Sequence, residues 1–64
     1  MKVREVLRRL KDDGWVLDRT VGSHHQFVHP TRPGTVTVAY ANGNEGKDLF
    51  GKTLDSIFRQ AGWK

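Results

Sequence analysis

Apolar residues along this chain recur first at helical and then at strand spacing. Val3, Val6, Leu7 and Leu10 fall at i, i+3, i+4 and i+7, which predicts an amphipathic helix with Lys2, Arg4, Arg8, Arg9 and Lys11 on its other sides. Gly14 supplies the stop. The next run, WVLDRTV, alternates Trp15, Leu17 and Arg19 against Val16, Asp18 and Thr20, the pattern of a strand with one buried face. Gly22 and Ser23 predict a turn, His24 to His29 a second strand, and the prolines and glycine of PTRPG a second tight connection. In TVTVAY, Val36, Val38 and Tyr40 face one way and Thr35, Thr37 and Ala39 the other. The polar, glycine-rich ANGNEGK then forms a loop. After DLFG, helical spacing returns in Leu54, Ile57, Phe58 and Ala61 before Gly62 ends the segment.

The predicted order is α-β-β-β-α, an α+β fold. Links this short make both strand connections antiparallel hairpins, and a small three-stranded sheet needs only one buried side, so both helices cover the same face. The other face stays open to solvent. No repeat, low-complexity stretch or long linker divides the chain, so residues 1–64 are expected to form one domain. A domain of this size buries only about 60% of the surface its unfolded chain exposes, which limits the core to a single thin layer.

Composition narrows the function. There is no cysteine, which excludes disulfide staples and thiolate-ligated zinc and makes a reducing compartment such as the cytoplasm the expected setting. The opening MKVREVLRRLKDD is too interrupted by charge for a secretory signal or a membrane span, so no membrane partner is expected. Eleven Lys and Arg against seven Asp and Glu leave a formal net charge of +4, which points to a polyanion, nucleic acid first.

All three histidines stand in TVGSHHQFVHP. Strand alternation puts His25, Phe27 and His29 on one face and His24, Gln26 and Val28 on the other. With Phe27 in the core, His24 looks out from the open face beside the flexible Gly22 and Ser23. A shared metal ion does not fit: at ~3.3 Å per residue His25 and His29 are about 13 Å apart, and His24 points the other way. His29, just before Pro30, suits a structural role in the turn. His24 needs no metal, because imidazole exchanges protons near neutral pH and RNA carries its own nucleophile in the ribose 2′-OH. Nearby Lys or Arg would stabilise the charge that builds on the phosphate.

Four stretches together carry a family resemblance: VREVLRRLKDDGW, GSHHQFVHP, PGTVTV, and GKDL followed by GKTLDSIFRQAG. From about Lys2 to Gly62 the chain resembles the HicA toxins, the ribonuclease half of a bacterial and archaeal toxin-antitoxin pair. The resemblance implies a fold similar to a double-stranded RNA-binding domain and a cofactor-free endoribonuclease that cleaves mRNA without the ribosome. It also implies that the catalytic histidine of the family's GSH corresponds to His24, with Gly22 and Ser23 positioning it. The implied partner is a HicB-type antitoxin that covers the active site and often carries its own DNA-binding module, so this chain alone is not expected to bind DNA. Arg19 and Lys47 are candidates to steer phosphate, ahead of Arg32 and Lys52, and His25 is a candidate assistant in substrate binding. Trp15 is expected in the core, and Trp63 at the antitoxin interface or packed across the sheet edge. The alternatives are a non-catalytic module that binds double-stranded RNA and an interaction subunit completed by a partner.

Overall fold

The structure, a computed structural model, describes residues 1–63. Its elements are α1 (Val3–Asp12), β1 (Val16–Val21), β2 (His24–Val28), β3 (Val36–Ala39) and α2 (Gly51–Ala61), in the predicted order. The strands form one antiparallel sheet ordered β1-β2-β3. Val3, Val6 and Leu10 of α1 and Ile57 and Ala61 of α2 meet Phe27, Val36 and Val38 in one core, so both helices cover the same sheet face. Trp15, Tyr40 and Leu49 complete that layer from the connections. No helix among the described residues is long and apolar enough to cross a membrane.

The polar loop before α2 is tied to the start of α1. The first N–H groups of a helix have no partner within it; here Val3 N–H donates to the Lys47 carbonyl and Arg4 N–H to that of Glu45, each at 2.9 Å. Lys2 N–H donates to Glu5 Oε1 at 2.7 Å, and Leu49 N–H to the Met1 carbonyl at 2.7 Å. At the other end of α2, Gly62 takes the left-handed conformation at φ 76°, letting Trp63 N–H reach back to the Phe58 carbonyl at 2.8 Å.

β1 departs from its pattern in two ways. It has no buried face: all six residues are exposed, because the helices lie over β2 and β3 and stop short of it. It also carries a bulge. Leu17 pairs with Phe27 but Arg19 with Gln26, so the register skips Asp18. Simple alternation groups Arg19 with Trp15 and Leu17; the extra residue transfers it to the face of Gln26 and His24.

Asp13, just past α1, binds distant parts of the chain together. Its Oδ2 accepts from the indole N–H groups of Trp15 and Trp63, each at 3.1 Å, and pairs with the Arg32 guanidinium from the β2–β3 connection. Trp63 is thereby engaged within the fold: it stands edge-on to Phe58 with the Arg9 guanidinium 4.4 Å from its ring centre. The Arg32 hydrogen bond, followed by that from Trp63, holds the Asp13 carboxyl below its ordinary value of 3.8. A lowered folded-state value means that the carboxylate stabilises the fold above the unfolded value and that this contribution disappears as pH falls through the folded one. Urea midpoints measured from pH 6 to pH 2 are therefore expected to decline less steeply for Asp13→Asn than for wild type; equal slopes would assign the acid sensitivity elsewhere.

Candidate functional site

The β1–β2 turn sets the site. Gly22 adopts φ 61°, a conformation that side chains with a Cβ resist, and the turn delivers His24 as the first residue of β2. His24 pairs with Val21 on one side and Ala39 on the other and is exposed. Across the same open face Arg19 pairs with Gln26, its Nε donating to Gln26 Oε1 at 3.4 Å.

The second wall comes from α2. Gln60 Oε1 accepts the Thr37 N–H at 3.0 Å, which anchors the helix along the outer backbone edge of β3. The groove this leaves is lined by His24, Thr37 and Ala39 from the sheet and by Lys52, Thr53, Ser56, Ile57 and Gln60 from the helix. Lys52, Ser56 and Gln60 are spaced i, i+4 and i+8, so they form one polar stripe beside the apolar one that enters the core. The groove thus presents an imidazole, one cation, hydroxyls and an amide, and no carboxylate lines it. Such a lining suits an anionic substrate that must lose a proton.

A family model described as HicA toxin of bacterial toxin-antitoxin matches residues 3–63, spanning all five elements. The chain belongs to the HicA toxin family. It is accordingly the toxin side of a toxin-antitoxin system, with a cognate antitoxin as partner. Comparison with curated proteins gives no match.

The other two histidines of this HicA-family chain have separate surroundings. His25 was expected among the substrate-binding residues, but it faces the core and is only 4% exposed. It stacks on Tyr40 with ring centres 3.8 Å apart and planes 11° from parallel. Its Nδ1 donates to the Ser23 carbonyl at 3.1 Å and its Nε2 lies 3.0 Å from Asn42 Oδ1, so both ring nitrogens are occupied. Ser23 enters through its backbone, its carbonyl also accepting the Tyr40 N–H at 2.9 Å. His29 holds the turn, as expected: Nε2–H donates to the Asp13 carbonyl at 2.8 Å while Nδ1 accepts from Thr31 N–H at 3.1 Å. The close fit fixes Gly14, where a Cβ would stand 2.8 Å from His29 Nε2.

The basic candidates divide likewise. Arg19 shares the face of His24. Lys47 lines an adjacent hollow with Asp48, Leu49, Phe50 and Thr53, of which only Thr53 also borders the His24 groove. Arg32 is committed to Asp13, whereas Lys52 is the cation in the groove itself. Sequence ranked Lys52 below Arg19 and Lys47; the i, i+4, i+8 polar stripe is the signal that would have raised it, together with Ser56 and Gln60.

Proposed function

We propose that this toxin is an endoribonuclease that cleaves messenger RNA without a metal, with His24 as general base, and that a HicB-type antitoxin holds it in check. The observation that carries the reading is the exposed His24 imidazole bordering a groove whose helical wall bears Lys52, Ser56 and Gln60 and no carboxylate. His24 removes the proton of a ribose 2′-OH, and the freed oxygen attacks the adjacent phosphorus. Negative charge that builds on the phosphoryl oxygens is met by the Lys52 ammonium and the hydroxyls of Thr53 and Ser56. The P–O5′ bond breaks, the 5′ oxygen takes up a proton from water, and a 2′,3′-cyclic phosphate remains. Gly22 and Ser23 fix the position of the base, Arg19 steers the strand across the open face, and Lys47 extends the cationic track past Thr53. Contacts of this kind go to phosphate and sugar, so sequence preference is modest and binding weakens steeply with salt.

The test is incubation of the pure protein with a long unstructured RNA in excess EDTA, with the product ends analysed chemically. Cyclic phosphate ends support the reading; binding without cleavage favours the non-catalytic double-stranded RNA module instead. Lys52→Ala is expected to lower kcat by roughly tenfold to a hundredfold, the scale of losing one group that stabilises a developing oxyanion. Lys47→Ala is expected to act mainly on KM and to make its salt dependence shallower. Equal effects of the two variants on kcat would argue against the division of roles.

A further inference from the structure

Phe50 is the most exposed large apolar side chain among the described residues, at 76%, and it lies outside the core. Its backbone holds it there. Leu49, the residue before it, is buried and doubly tied to the start of the chain: its N–H donates to the Met1 carbonyl at 2.7 Å and its carbonyl accepts from the Met1 ammonium at 3.2 Å. Phe50 continues in extended conformation, φ −157° and ψ 173°, so its side chain leaves on the side opposite to that of Leu49. Gly51 then opens α2. The ring thus stands between two anchored segments, and folding it back onto the core would break one of them.

A single apolar side chain at the surface is ordinary, so the surroundings of this one decide what it means. The ring borders a hollow with Lys47, Asp48, Leu49 and Thr53. Thr53, three residues on and close to one helical turn away, also borders the His24 groove, so the hollow continues that groove along α2. The carboxylate in the hollow, Asp48, lies 3.4 Å from Lys2 Nζ, an ion pair that offsets its charge. Lys47 beside the ring and Lys52 in the groove are then the cations of this wall. An aromatic face among cations matches a nucleotide, which has a flat base and an anionic phosphate, and surfaces that hold single strands combine these two elements. A duplex offers the ring no such partner, because its bases are stacked on one another and show only their edges in the grooves.

We infer that Phe50 stacks on an unpaired base of the RNA strand in the His24 groove, at a nucleotide adjoining the cleaved linkage. This deepens the RNA-cleavage reading and rests on it for the identity of the ligand. Every base has a π face, so the ring adds affinity and fixes the strand in place without imposing a sequence code.

The test measures affinity for a short unstructured RNA methylated at every 2′-oxygen, which has no nucleophile and stays intact while bound. Phe50→Ala is expected to bind about tenfold more weakly than wild type and Phe50→Trp as tightly as wild type. Phe50→Leu should gain little over alanine, because it keeps apolar bulk without a ring. Bases are then removed one at a time: at one position an abasic nucleotide should weaken wild type while adding little to the loss in Phe50→Ala, the coupling of two groups in contact. The exposed position predicts wild-type circular dichroism for all three variants. Full affinity of Phe50→Ala, full rescue by leucine, or the absence of any coupled base would each overturn the proposal. So would intact RNA affinity alongside lost affinity for the cognate antitoxin, which assigns the ring to that protein. Ring-dependent binding by a toxin that leaves unmethylated RNA uncut would uphold the stacking and reject the proposed activity; cleavage with no dependence of binding on Phe50 would do the reverse.

Discussion

Replacing His24 with alanine is expected to reduce RNA cleavage by about 10²–10⁴-fold, the range that a positioned general base contributes, with little change in stability. The two halves of that expectation have one structural source. His24 is exposed on the open face and lies outside the core, so its removal takes away no buried contact. Lys52 and Arg19 remain, so the variant should still bind RNA at low salt. Gel analysis of cleavage, filter binding and thermal unfolding on the same preparation check the three statements. Loss of binding in parallel with loss of cleavage would mean that His24 holds substrate and does not move a proton; undiminished cleavage would place the base elsewhere.

The neighbouring histidine gives the opposite profile. His25→Ala is expected to destabilise the fold by about 3–5 kcal/mol, as for truncation of a buried aromatic ring. A chain of 64 residues has a total stability of only about 3–10 kcal/mol, so much of the variant should be unfolded at 37 °C. The loss has three parts: the Tyr40 stack, the bond to the Ser23 carbonyl that braces the turn, and the link to Asn42 in the following loop. Urea denaturation measures the stability, and cleavage per folded molecule separates the two histidines. Activity that recovers when the variant is stabilised by cooling marks His25 as a structural support behind the sheet. A stable His25→Ala protein with no activity would return it to the substrate site.

Much of this arrangement was legible because the patterns that encode it are local. The apolar stripe of α1, the alternation through Val36, Val38 and Tyr40, and the parity that sends His24 and His25 to opposite faces need no tertiary information. β1 was misread at two points for physical reasons. Its alternating pattern implies a covered face, but coverage depends on how far the helices extend over the sheet, which periodicity does not encode. The bulge at Asp18 changes the face of Arg19, and no residue in DRT announces it as a glycine would. The groove wall was missed because helical spacing identifies which side of α2 enters the core, whereas the alignment of its polar stripe with His24 is set by Gln60 meeting the backbone of Thr37, 23 positions away. Trp63 illustrates the same limit: its binding to Asp13 spans 50 positions.

The Gln60–Thr37 hydrogen bond also bears on stoichiometry. A sheet with two free edges can add chains at both and grow into a fibre, a hazard for a small protein with a thin core. Here the Gln60 side chain occupies one backbone donor on the outer edge of β3, the Thr37 N–H, whereas the outer edge of β1 has no strand beside it among the described residues. A chain pairing along β3 must first displace that bond, so the two edges are unequal and open-ended growth through both is disfavoured.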